Sequence, residues 1–146
     1  MEFIRWHALS SYTRWNEYLA KQGFEVLEFH HNLPNVELKW AEENQFCPKK
    51  ENEIFQIGIE KIKRFNPDII YCSSPLFYLK SHFLRELINL LPKKPKLVAW
   101  YGANCGNERI FRNFDLTLSN SKHLINELYK KEITADFLQH SFEPAV

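Results

Sequence analysis

The run Ile69-Ile70-Tyr71-Cys72, bracketed by Asn66-Pro67-Asp68 and Ser73-Ser74-Pro75, constrains the fold more than any other stretch. Four consecutive apolar residues between turn formers predict a strand covered on both faces, as in a parallel sheet sandwiched by helices. Parallel strands need long crossover connections, so this strand also demands helices before and after it. Both are present in the pattern. Ile54, Ile57, Ile59 and Ile62 line a helix predicted over Glu51–Arg64, and a further apolar pattern predicts one over Leu79–Leu91.

The same alternation continues along the chain. Leu97–Tyr101 reads as a strand, Glu108–Arg112 as a short helical turn, and Asp115–Ser119 as the next strand. Ser121 is placed to cap a helix over Lys122–Lys131, and Ala135–Gln139 is a further strand. Upstream, Tyr12–Lys21 reads as a helix that Gly23 closes in the left-handed conformation, and Phe24–Phe29 alternates as a strand. Phe3–Ala8 fits either a first strand or the start of a long helix. Residues 30–50 are irregular, punctuated by Asn32, Pro34 and Pro48, and read as a surface insertion with a short helix around Val36–Glu43. Strand and helix in alternation predict an α/β fold with a mainly parallel sheet.

Size and composition exclude several classes. The 146 residues suit one domain, and 45% hydrophobic with 25% charged residues is an ordinary globular balance. A net charge of +1 gives no field that would favour nucleic acid. The basic run Lys93-Lys94 with Lys96, between prolines, reads as a solvated loop. No apolar run approaches the roughly 20 residues of a membrane span, and no signal-peptide core follows Met1. Cys47, Cys72 and Cys105 are odd in number and lack metal-ligand spacing, which predicts a reduced, cytoplasmic setting. His30-His31 and His82 lack partners at ligand spacing, so no metal site is expected. Aromatic residues make up 15%, enough for a ring-rich core or an aromatic interface.

Chemistry is expected where strands stop. Ser73 and Ser74 follow one strand, and Gly102 and Asn104 the next. Ser119 and Asn120 follow a third, and His140 the last. In a parallel sheet these groups share one edge with free helix N-termini, where open α/β folds place polyhydroxyl or anionic ligands. Each Ser or Asn could instead be a cap or turn former. The Gly102–Gly106 turn matches no dinucleotide or phosphate-loop pattern, so neither NAD nor ATP is expected. His7 and His140 are the candidate bases, since an imidazole titrates near neutral pH.

Four stretches, in order, resemble the N-terminal half of GT-B glycosyltransferases of the bacterial CgeB-like, family-4-like type. They are Leu19-Ala20-Lys21-Gln22-Gly23-Phe24-Glu25-Val26, Asn66-Pro67-Asp68-Ile69-Ile70-Tyr71, Asn113-Phe114-Asp115-Leu116-Thr117-Leu118-Ser119 and Leu138-Gln139-His140-Ser141-Phe142-Glu143-Pro144. The resemblance implies a Rossmann-like three-layer sandwich over 1–146 that holds a sugar acceptor. His7 would be the catalytic base, and Ser73, Ser74, Gly102, Asn104, Ser119, Asn120 and His140 would bind substrate. It also implies a nucleotide-sugar donor gripped by a C-terminal domain that this sequence does not include, so no transfer by 1–146 alone and no cofactor of its own. The alternative is a non-enzymatic, flavodoxin-like interaction module that uses rings such as Trp100 and Tyr101.

Overall fold

A computed structural model of the chain describes residues 12–49, 51–73, 75–80, 82–103 and 106–139. The chain divides into two units, 1–29 with 140–146, and 30–139. In the first unit, α1 spans Tyr12–Lys21. It ends as the glycine predicts. Gly23 sits at φ 88°, its N–H donates to the Ala20 carbonyl, and the Phe24 N–H reaches back to Leu19 at 3.1 Å. Those two bonds satisfy carbonyls that the helix end would otherwise orphan. Phe24–Phe29, read as a strand, has no regular secondary structure, and Phe24 is exposed. Phe3–Ala8, read as a first strand or a helix start, lies outside the described residues.

The second unit carries the sheet. In chain order it contains α2 (Pro34–Glu43), α3 (Glu53–Phe65), β1 (Ile69–Cys72), α4 (Pro75–Lys80), α5 (Phe83–Leu90) and β2 (Lys96–Trp100). A 3-10 helix (Glu108–Asn113), β3 (Leu116–Ser119), α6 (Lys122–Tyr129) and β4 (Ala135–Phe137) complete it. The four strands lie in the order β1-β2-β3-β4 and every pairing is parallel. This is the α/β, Rossmann-like arrangement expected from the alternation, and its parallel register is complete among the described residues.

Several element boundaries differ from expectation by one or two residues, and two helices differ for a reason visible in the backbone. The helix predicted over Leu79–Leu91 is two helices, α4 and α5, because His82 adopts the left-handed conformation at φ 59° and breaks the ladder. The helix expected from Glu51 begins at Glu53, since Asn52 is left-handed at φ 57°. At the other end of α3, Asn66 takes φ 51° and donates its N–H to the Ile62 carbonyl at 2.8 Å, after which Pro67 prevents continuation.

Register explains the core. Cys72, Ala99, Thr117 and Ala135 stand side by side across the four strands, and all are buried. Above them lie Leu84 of α5, Phe111 of the 3-10 helix, and Leu124, Ile125 and Leu128 of α6. The elements that connect consecutive strands (α5, the 3-10 helix and α6) thus all contribute to this one cluster. The opposite face, with Tyr71, Val98, Trp100, Leu116 and Leu118, is half-buried, and Ile69 is 56% exposed. The expectation that β1 is fully covered therefore fails at Ile69.

The N-terminal rim of the sheet is pinned by acids. Asp115 Oδ2 accepts from the Leu97 N–H at 2.8 Å, while its Oδ1 pairs with Lys96 Nζ at 2.9 Å. Asp68 pairs with Lys93 at 2.6 Å, so two of the three basic-loop lysines are held by the rim they border. These contacts keep both carboxyls below the usual carboxylate range: for Asp68 the Lys93 hydrogen bond leads, for Asp115 the Leu97 N–H. At the far side, the outward groups of β4 are closed off by side chains. Tyr129 Oη donates to the Ala135 carbonyl at 3.1 Å, and Asp136 Oδ1 accepts from the Phe137 N–H at 2.7 Å. Such blunting discourages pairing of β4 with another chain.

Candidate functional site

Two of the residues expected at the C-terminal edge of the sheet, Gly102 and Asn120, adjoin one another there. Trp100 stands opposite Leu118 in the β2–β3 register, so two residues further Gly102 faces Asn120. The contact is close. A methyl group built on Gly102 would lie 2.8 Å from Asn120 Oδ1 and 2.8 Å from the tip of the Trp100 indole. A side chain at position 102 would therefore make the Asn120 carboxamide or the Trp100 indole shift. The Tyr101 N–H donates to the Leu118 carbonyl at 3.0 Å, and the Leu138 N–H to the Ser119 carbonyl at 2.9 Å, so the ladder runs up to the tips themselves.

Each candidate residue has a distinct place. Ser73, at the tip of β1, is exposed. Gly102 and Asn120 are half-buried and adjoin one another. Ser119 is fully buried, and its Oγ accepts from the Ser121 N–H at 3.0 Å. Ser121 in turn caps α6 by accepting from the Leu124 N–H at 3.2 Å. This pair of serines shapes the turn that carries Asn120 forward, so Ser119 supports the edge from behind. His7, Ser74, Asn104 and His140 lie outside the described residues. Of the two rings named as interface candidates, Tyr101 is half-buried with its ring 5.6 Å from that of Phe111, and Trp100 is half-buried.

A second polar cluster escaped the sequence reading. The segment read as a surface insertion contains α2, and α2 carries a glutamate with no exposed surface. Glu37 accepts from Lys61 Nζ at 3.0 Å through Oε2 and from the His30 N–H at 2.9 Å through Oε1. Lys61 projects from α3, and its ammonium lies 5.8 Å from the centre of the Trp40 ring. The signal was available: Lys61 falls on the stripe set by Ile54 and Ile57, where a cation is buried only with a partner.

Beside this pair, His31 Nδ1 and Tyr78 Oη are 3.1 Å apart, with the two rings edge to face. Tyr78 belongs to α4, which starts at the tip of β1, so the cluster borders the same sheet edge. Burial, then Cys72 and Glu37 nearby, push the Tyr78 hydroxyl up to about 12, which keeps it protonated. The His31 tautomer sets which of the two donates. Burial first, and His30 second, hold the His31 imidazole below its ordinary value and favour its neutral form. Burial alone pushes the Cys72 thiol up to about 12, which makes it an inert packing group.

Among the described residues no three His, Cys, Asp or Glu side chains are grouped so as to hold a metal ion, and no helix is long and apolar enough to cross a membrane. Among the described candidates, the edge carries the exposed Ser73 and the adjoining pair Gly102 and Asn120. Comparison of the chain with protein-family models, with curated proteins and with solved structures yields no match.

Proposed function

We propose that the chain is the acceptor-side domain of a glycosyltransferase, holding an acceptor hydroxyl at the C-terminal edge of its parallel sheet. A nucleotide-sugar donor is presented by a separate donor-binding domain. The observation that carries this reading is the meeting of Gly102 and Asn120 at adjacent strand tips of an all-parallel sheet. Open α/β sheets bind ligands at that edge, and the four motif stretches supply the transferase resemblance.

Chemistry assigns the labour. Moving a glycosyl group needs the acceptor oxygen held in line with the anomeric carbon and water kept out. Asn120 supplies a carboxamide that can both donate to and accept from hydroxyls, and Ser73 a hydroxyl that does the same. Catalysis needs a proton acceptor, and His7 remains the proposed base. The chain acts in the cytoplasm, where nucleotide sugars are available as donors.

Saturation-transfer NMR with neutral saccharides, and separately with UDP-glucose and GDP-mannose, tests the division. Binding of saccharides without binding of either nucleotide sugar is expected. Binding of a nucleotide sugar by this chain alone contradicts the assignment.

A further inference from the structure

We infer that α2 is a flap: it swings off α3 as one unit while the parallel sheet stays folded, and in doing so uncovers the Lys61 ammonium. The flap is independent of whatever the sheet edge binds. Its docking face is small and polar. Of the ten residues of α2, only Glu37 and Ala41 are buried, and Trp40 beside them is half-buried. Val36 and Leu38 are 41% and 38% exposed. By contrast α5 buries Phe83, Leu84 and Leu87, and α6 buries Leu124, Ile125 and Leu128. Both of those helices feed the core cluster over the sheet, to which no residue of α2 belongs.

What holds α2 to α3 is mostly charge. Glu37 takes the Lys61 ammonium at 3.0 Å and the His30 N–H at 2.9 Å. Lys61 and Arg64, one turn apart, place their cations 5.8 and 5.6 Å from the centre of the Trp40 ring. Arg64 Nη1 also donates to the Asn44 carbonyl, just past the helix, at 3.3 Å. A buried ion pair differs from buried hydrocarbon in what opening does to it. When the helices part, both ions regain water, which offsets most of the attraction they lose. Apolar area that becomes exposed has no such compensation. The helix is therefore pinned in one place yet held weakly against opening as a whole. Once free, ten residues are too few to stay helical in water, so the flap unwinds as it leaves. Both ends can bend. The chain enters through a turn closed by the Leu33 N–H on the His30 carbonyl, and leaves through Gln45 at φ 55°, a left-handed value whose strain opening relieves.

Native-state hydrogen exchange of the full chain, read by two-dimensional NMR over urea concentrations below the unfolding transition, tests the flap. The amides of residues 38–42 are expected to share one protection factor, at least about tenfold below those of β2 and β3, with a shallower but measurable urea dependence. Ile125→Val, which thins the core over the sheet, should lower protection in β2 and β3 about fivefold and leave residues 38–42 unchanged. Lys61→Met should lower protection at residues 38–42 about a hundredfold, because Glu37 is then buried alone in the closed state. Equal protection and equal urea dependence in residues 38–42 and in the sheet, or an Ile125→Val effect that is the same in both, overturns the flap. So does unequal, urea-independent exchange along residues 38–42, which is fraying from one end, and so does a Lys61→Met variant that exchanges there like wild type. If Lys61→Met does not fold, the wild-type urea series and Ile125→Val still decide.

Discussion

Replacing Lys61 by methionine removes the cation that faces a carboxylate with no exposed surface. Glu37 then keeps one hydrogen bond, from the His30 N–H, in a site from which water is excluded. Methionine preserves the bulk of the lysine stem and its packing on Trp40, so the lost quantity is the charge itself. Breaking a buried pair from one side costs about 3–5 kcal/mol.

The predicted loss is therefore about 3 kcal/mol at pH 7. It equals a fall of about 2 M in the urea midpoint if the slope is about 1.5 kcal/mol/M. Removing both charges in Glu37→Leu/Lys61→Met should recover most of the loss. Urea unfolding followed by circular dichroism at pH 7 measures both variants. A Lys61→Met variant within about 0.5 kcal/mol of wild type would refute the argument.

The remaining predictions use other groups. Cys47 is exposed while burial raises Cys72, so a maleimide at neutral pH should label Cys47 in the native chain and Cys72 only after urea is added, as read by peptide mass spectrometry. Thr117 Oγ1 is buried without a partner in the core between Ala99 and Ala135, so Thr117→Val should raise stability by roughly 1 kcal/mol; a loss of that size would show that the hydroxyl is satisfied in solution. His31 has a folded value below its unfolded 6.5, so the unfolded chain binds the extra proton. Its contribution to stability is complete above that pH and is lost as pH falls below it. His31→Gln should flatten the decline in urea midpoint between about pH 6.5 and 5, and parallel profiles would remove His31 from the account.

Much of the architecture was legible because parallel sheets write themselves plainly. Strand β1 announced itself as an apolar run between turn formers, and the caps at Gly23, Asn66 and Ser121 fall where residue type demands. What escaped has physical causes. Periodicity runs unbroken through Ser81-His82, so the left-handed turn between α4 and α5 leaves no trace in hydrophobic spacing. Phe24–Phe29 alternates correctly, yet pairing decides what becomes a strand, and pairing is a property of two segments. Segment 30–50 reads as a surface insertion because Asn32, Pro34 and Pro48 interrupt its pattern, although its glutamate is buried to complement a lysine on the apolar stripe of α3. At the candidate site, the meeting of Gly102 with Asn120 follows from sequential parallel order, whereas the inward turn of Ser119 depends on which face of β3 it occupies. The aromatic–aspartate pair Phe114-Asp115 resembles a transferase motif, and here its acid anchors the N-terminal rim, at the opposite end of the strands from the proposed site.

The most direct measurement is an assigned amide spectrum of the chain, recorded as a neutral saccharide acceptor is titrated in. Shifts gathered at Ser73, Gly102, Asn120 and Ser121, with Asp68, Lys96 and Thr134 at the other rim unmoved, are what this account predicts. Shifts centred on that other rim, or on the outward side of β4, would contradict it.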